Sequence, residues 1–313
     1  MSKIIITSNK NPDLDGYACS VGYAEYLNKT GKDSEPILLN EIDDETKFVL
    51  DFGKIRALEK NKKDISKNKI VIVDTSNLNS LKLEIAPNNL IEIIDHRRIN
   101  DSYLYPWVKT QIEMVGSCAT LIAEKFINDK IEPSRESRLL LYSAVISNTI
   151  NFKNKITTDR DIKAAQYLSK EIDLPKNSAE QMFRARTNIE GENLNHYLNK
   201  DYIEQTVCNK SLTVFQMEIV ETSSLVRDRL KEIITIIKNI IKNKKLDYCF
   251  LNIIDTLEAY NYIVVVDAKS EDFLRKVLNL NFENGLAKTD FIIMRKEIMV
   301  KIKEYLENNG KVC

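Results

Sequence analysis

The chain is poor in the residues that break, bridge or anchor a fold. Eight glycines and six prolines among 313 residues leave no glycine-rich phosphate loop and no low-complexity tract. The five cysteines (Cys19, Cys118, Cys208, Cys249, Cys313) are odd in number, widely spaced and without a C-x-x-C pair. That pattern argues against a cysteine-built zinc site and predicts reduced thiols in a cytoplasmic protein. Apolar runs are short, Ile263–Val266 among the longest, so none reaches the length of a membrane span. Ile4-Ile5-Ile6 soon meets polar residues and does not read as a signal peptide. Charge excess is lacking too, with 46 Lys+Arg against 46 Asp+Glu. This balance argues against a general nucleic-acid or membrane-surface partner. Tyr and Phe are spread as core residues and do not interleave with basic ones as in single-strand binders.

What is present reads as an ordinary globular composition, 43% hydrophobic and 29% charged. The length suits two domains better than one core. The first half alternates β-branched runs with helical patterns. Lys3–Thr7, Lys69–Asp74 and Leu90–Asp95 are strand candidates, and Tyr17–Lys29 is a helix. This order predicts an α/β domain with a parallel sheet and flanking helices. Ser117–Phe126, Glu136–Ser147 and Thr158–Glu171 carry helical apolar spacing, each with a Ser or Thr near its start to cap it. The polar stretch Thr187–Asn199 has no clear periodic face and is expected to be a linker. It divides the chain into domains 1–186 and 200–313. The second domain is expected to be smaller and mixed α/β. Two strands lie in Asp201–Val220 around a Cys208–Ser211 turn, followed by an amphipathic helix over Val226–Leu246. Strands at Tyr248–Ile254 and Tyr260–Ala268, a helix from Glu271, a strand near Asp290–Met294 and a final helix complete it.

Three acidic loops follow the first-domain strands. Asn11-Pro12-Asp13-Leu14-Asp15-Gly16 places two carboxylates at i and i+2, which in extended backbone face one way. Asp74-Thr75-Ser76-Asn77 follows Ile70–Val73, and Asp95-His96-Arg97 follows Ile91–Ile94. Each alone has an ordinary reading: a turn, a helix cap, a structural histidine. Together they place oxygen and imidazole donors at the carboxyl ends of parallel strands, where such sheets bind ligands. Hard divalent cations take such donor sets. Asp95 beside His96 is positioned to hold the imidazole in one tautomer. His196 falls in the linker and is expected at the surface.

The order N-P-D-x-D, I-V-D-T-S, D-H-R, then Gly116-Ser117-Cys118-Ala119-Thr120, resembles the DHH phosphoesterase superfamily. Ile146-Ser147-Asn148-Thr149 and Met294-Arg295-Lys296 narrow the likeness to the manganese-dependent (family II) inorganic pyrophosphatases and their exopolyphosphatase and prune relatives. The resemblance implies a DHH domain and a smaller C-terminal domain with the active site in the cleft between them. It also implies hydrolysis of pyrophosphate or short polyphosphate with two Mn²⁺ (or Mg²⁺, Co²⁺) ions. Matched position by position, Asp13, Asp15, Asp74 and His96 are metal ligands. Ser117 at a helix start, Arg295 and Lys296 bind phosphate; Asp95 and Arg97 stand in the catalytic motif. Asn9 and Asn148 stand where the pyrophosphatases have a ligating His and Asp, Arg97 where they have a second His, and Ile203 where they have a Lys. Asn148 lowers the carboxylate count around the ions, so a weakened second metal site is expected. Arg97 cannot act as a general acid near neutral pH, but it can stabilise phosphoryl charge. The alternative is a family member that binds (poly)phosphate or nucleotide with little or no turnover. An apolar edge strand in the first domain could pair two subunits as a homodimer.

Overall fold

The computed structural model describes residues 3–62, 64–65, 67–76, 85–96, 102–187, 189, 193–200 and 202–308. It divides into two compact units, 1–186 and 187–313.

The first unit is built on a parallel five-stranded sheet, β1 (Ile4–Thr7), β2 (Ser34–Pro36), β3 (Lys69–Val73), β4 (Leu90–Asp95) and β5 (Lys109–Ile112). The spatial order is β2-β1-β3-β4-β5. The three central strands are runs of Ile and Val buried on both faces, as a sheet covered by helices requires. The helices are α1 (Leu14–Lys29), α2 (Asp44–Gly53), α3 (Cys118–Asp129), α4 (Arg135–Asn148), α5 (Asp159–Leu168) and α6 (Ser178–Arg186). Ser117, Ser134 and Thr158 are the N-caps of α3, α4 and α5. Strand order reverses between β1 and β3. A crevice opens outside the carboxyl ends of the strands at such a switch point. The loops after β1, β3 and β4 therefore meet in one place.

The second unit holds α7 (Asn193–Lys200), β6 (Tyr202–Val207), β7 (Lys210–Ile219), α8 (Thr222–Ile241), β8 (Tyr248–Asp255), β9 (Tyr260–Val265), α9 (Ala268–Leu278), β10 (Leu286–Lys288) and α10 (Arg295–Asn308). Its sheet order is β10-β9-β8-β7-β6, with β7 and β8 parallel and the other neighbours antiparallel. One face packs Phe215, Met217, Leu251 and Ile253 against α8; the other packs Val214, Phe250 and Ile263 against α9 and α10. The β6–β7 turn is Cys208-Asn209, both at positive φ (46° and 61°), the backbone that suits the twist of a two-residue hairpin.

Three expectations are corrected. The stretch read as a linker contains helix α7, because Leu194 and Leu198, four apart, are both buried against the second unit's core. The strand expected near Asp290–Met294 does not form; β10 lies earlier. Ile293 spends its backbone groups on asparagine side chains instead of a strand ladder. Cys208 is disulfide-bonded, whereas Cys19, Cys118 and Cys249 are free and buried. His196 is exposed, as expected, and Ile203 is half-buried against the second unit's core. Among the described residues, no helix is long and apolar enough to cross a membrane.

Candidate metal centre

Asp15, Asp74 and His96 converge at the carboxyl ends of the first sheet. Each offers one ligand atom, these atoms lie within 4.8 Å of one another, and all three residues are buried. His96 Nε2 lies 3.4 Å from Asp74 Oδ1 and 4.0 Å from Asp15 Oδ2. Two carboxylates and an imidazole nitrogen are the donor chemistry of a first-row divalent cation.

Asp74 directly follows β3, at φ 56°. A non-glycine residue in the left-handed region carries a conformational cost, and such positions cluster at functional sites. The Asp74 N–H donates to Ile94 O at 2.8 Å, which anchors this backbone to β4. Asp15 does not lie in an extended loop beside Asp13. It sits in the first turn of α1, and Asp13 is the exposed N-cap, accepting from Gly16 N at 3.0 Å. Gly16 is required here, since a Cβ would lie 2.5 Å from Ser8 Oγ.

Asp15 is held by a dense set of donors. Cys118 N (2.8 Å), Ala119 N (2.9 Å), Ser117 Oγ (3.0 Å) and Cys19 Sγ (3.3 Å) all donate to its carboxylate. The anion seated on the N-terminus of α3 is thus Asp15, and Ser117, expected to bind substrate phosphate, donates to that carboxylate. Burial raises the Asp15 pKa, opposed by the charge of His96 and by the Cys118 and Ala119 N–H groups.

Asn148 ends α4, and its Nδ2 donates to Asp15 Oδ2 at 2.5 Å. The neutral amide stabilises a metal-free carboxylate that an aspartate at this position would repel. The His96 ring is held by Val115, whose carbonyl oxygen lies 3.0 Å from Nδ1. Asp95 does not orient the ring as expected, because its carboxylate accepts from Ser76 Oγ (2.6 Å) and His96 N (2.7 Å). A proton on Nδ1 directed at Val115 O leaves Nε2 to face the carboxylates, as a ligand must. Burial lowers the His96 pKa, but Asp74, Asp15 and Val115 outweigh it and raise it to about 9.

Asn9 follows β1 and is half-buried, while Arg97 and Asn77 lie outside the described residues. Arg295 and Lys296 open α10 in the second unit. Cations at a helix N-terminus oppose the macrodipole. Glu297 in the same first turn supplies an anion there, accepting from Met294 N at 2.9 Å.

Asp161 went unread as part of the site's framework. Its buried carboxylate accepts from Gly116 N, Thr120 Oγ1, Thr158 N and Thr158 Oγ1, all within 3.0 Å, tying the loop before α3 to the start of α5. The Thr158-x-x-Asp161 spacing is a capping-box signature that could have found it. Glu45 was missed as well. It is buried on α2, accepts from Ser147 Oγ at 2.9 Å and lies 3.6 Å from Arg186 Nη1.

Comparison with known proteins accords with this geometry. The DHH family, N-terminal domain, matches residues 3–145, and the DHHA2 domain matches residues 180–305. The chain thus carries a DHH-type N-terminal domain followed by a DHHA2 domain. A Clostridium acetobutylicum protein named "Probable manganese-dependent inorganic pyrophosphatase" is 28% identical over 95% of this chain and 96% of its own length. A Bacillus cereus protein of the same name is 26% identical, covering 96% and 98%. Among solved structures, a Methanococcus jannaschii protein assigned to the family II inorganic pyrophosphatases superposes with a TM-score of 0.75 at 25% identity, over 97% of this chain and 99% of its own. An exopolyphosphatase-related protein of Bacteroides fragilis shares the fold, with a TM-score of 0.51 at 17% identity, covering 98% and 92%. The matches to these two relatives cover 95% and 96% of this chain and reach into both units.

Proposed function

We propose that this DHH protein hydrolyses the phosphoanhydride bond of inorganic pyrophosphate with manganese. The observation that carries the reading is the buried Asp15–Asp74–His96 cluster, in a chain matched over its length by manganese-dependent pyrophosphatases. The donor set suits the metal: two carboxylates and an imidazole whose other nitrogen is engaged by Val115. Asp74, placed between the β1 and β4 loops, would be shared if two ions bind. Asp13 and Asn9 would complete one site, and Asp15, His96 and Asn148 the other.

A bound divalent ion supplies Lewis acidity toward a phosphoryl oxygen and makes a coordinated water more acidic. The chain's own groups do the rest. Asp15 is held rigid by Ser117, Cys118 and Ala119, and His96 by Val115, so ligand positions are set before substrate arrives. Arg295 and Lys296 bind the terminal phosphate, the guanidinium as a two-pronged donor and the ammonium as a point charge. Arg97 is assigned the developing negative charge, and Asp95 steadies the strand end that carries His96.

Asp74→Asn is the sharpest test. Asn tolerates the left-handed backbone at this position, so the change removes charge with little strain. Phosphate release from pyrophosphate in Mn²⁺ is expected to fall by roughly a thousandfold or more, the scale of losing an essential catalytic group. Unchanged release would overturn the assignment. A second reading, a (poly)phosphate-binding protein with weak turnover, is favoured by Asn148, which replaces a ligand carboxylate with a neutral amide. Tight pyrophosphate binding without phosphate release would support it. Terminal trimming of tripolyphosphate and longer chains would widen the substrate to polyphosphate.

A further inference from the structure

The second unit contains a polar device where an apolar core is expected. Strand alternation on the sheet face packed against α9 and α10 places Leu212 and Val214 of β7, Phe250 of β8, and Ile263 and Val265 of β9 inward. The next inward positions are Gln216, Asn252 and Asn261. In the register Gln216 pairs with Asn252, and Ile254, two residues beyond Asn252, pairs with Asn261. The three carboxamides therefore share one face across three adjacent strands. Gln216 is 6% exposed, and Asn252 and Asn261 are both 0% exposed. Burying amides costs free energy unless every group finds a partner.

Their partners are one another, the main chain at the start of α10 and, for Gln216 Nε2, Glu218 Oε1 at 2.8 Å. Asn252 Nδ2 (2.9 Å) and Asn261 Nδ2 (2.6 Å) both donate to Ile293 O. Ile293 N donates to Asn261 Oδ1 at 3.2 Å, and Arg295 N donates to Gln216 Oε1 at 2.7 Å. The ladder is closed by Asn261 Nδ2 to Asn252 Oδ1 (2.5 Å) and Asn252 Nδ2 to Gln216 Oε1 (3.3 Å). Four bonds thus run from three side chains to the backbone of Ile293 and Arg295. None reads the side chains of that segment; all of them determine its path. They also satisfy the Arg295 N–H, a donor that the first turn of a helix leaves unpaired.

We propose that Gln216, Asn252 and Asn261 are positioning residues for the phosphate-binding pair Arg295-Lys296, acting on substrate affinity and not on the metal centre. This rests on the reading of Arg295 and Lys296 given above. A buried carboxamide ladder is more directional than an aliphatic patch of the same size, and it holds the start of α10 in one register.

The test uses the full chain with Mn²⁺ and pyrophosphate. Gln216→Met removes the acceptor for Arg295 N and Asn261→Leu removes two of the bonds to Ile293; Gln216→Glu combined with Glu218→Gln keeps an acceptor at Oε1 and reverses the Gln216–Glu218 bond. Gln216→Met and Asn261→Leu are expected to raise KM roughly tenfold, the worth of about one lost hydrogen bond to the site segment, with kcat within about twofold. Mn²⁺ affinity should stay unchanged, and the Gln216→Glu, Glu218→Gln pair should restore KM to within about threefold. Amide hydrogen exchange on the same proteins reads the hold without activity: Arg295 protection should drop in Gln216→Met, and Ile293 protection in Asn261→Leu. Arg295→Ala, run in parallel, separates the two ideas. If it leaves KM unchanged, the phosphate-binding reading fails, and retained amide protection in Gln216→Met and Asn261→Leu then overturns the ladder independently. If Arg295→Ala raises KM while the ladder variants lose protection but keep KM, the proposal is overturned. A fall in kcat and Mn²⁺ affinity in the ladder variants would also overturn it.

Discussion

Replacing Asn148 by aspartate would place two carboxylates face to face. Asn148 Nδ2 now donates to Asp15 Oδ2 at 2.5 Å, and Asp15 is buried. With both groups ionised and relaxed to about 4 Å apart, the repulsion is about 4 kcal/mol at an effective dielectric near 20. The pair can avoid it by taking up a proton. At pH 7, protonating a carboxyl of ordinary pKa near 4 costs about 4 kcal/mol, at about 1.4 kcal/mol per unit, and less for Asp15, whose pKa burial already raises. Asn148→Asp should therefore destabilise the metal-free protein by up to about 4 kcal/mol, a large part of a typical domain's stability. A divalent cation removes the repulsion and gains a charged ligand, so the penalty should shrink or vanish in Mn²⁺. The assay is urea unfolding at pH 7 followed by circular dichroism, in chelator and then across a Mn²⁺ titration. The variant should unfold at lower urea in chelator, gain more from Mn²⁺ than the parent, and release phosphate from pyrophosphate faster. Equal stability in chelator, with no added response to Mn²⁺, would refute the reasoning about this amide.

Three further outcomes follow from the same framework. Burial raises the Glu45 pKa to about 7, against the lowering effect of Arg186. A raised acid pKa means stability present below pH 4.5 is lost as pH rises through 7, by up to about 3 kcal/mol; Glu45→Gln should flatten that slope in pH-dependent urea unfolding. The raised His96 pKa of about 9 means that the stability of its protonated form is complete below pH 6.5 and lost as pH passes 9. Protons and Mn²⁺ therefore compete for Nε2, and the Mn²⁺ midpoint in thermal-shift titrations should fall as pH rises over that range, a trend His96→Gln should abolish. Gly116→Ala would place a Cβ 2.7 Å from Thr149 Cγ2 and 3.0 Å from Asp161 Oδ2. It should cost roughly 1–3 kcal/mol by overpacking, measurable as a lowered Tm.

The sequence by itself determined the class of fold and the acidic loops whose side chains form the candidate metal centre. Runs of Ile and Val that end in aspartate force buried parallel strands, and strand ends in such a sheet are where ligands collect, so Asp15, Asp74 and His96 were legible as a group. The β6–β7 hairpin was legible too, since Cys208-Asn209 interrupts two alternating runs. Only the tertiary structure decided which partner each side chain serves. Asp15 turned out to occupy the α3 N-terminus that a phosphate was expected to fill, and Val115, not Asp95, holds His96. The Asp161 capping box was legible in its spacing, but its bonds to Gly116 and Thr120, like Glu45 and the Gln216–Asn252–Asn261 ladder, were invisible because they join elements apart in the chain. Local pattern specifies which face of a strand or helix a residue occupies; the partner across the space it faces is set by how the elements pack.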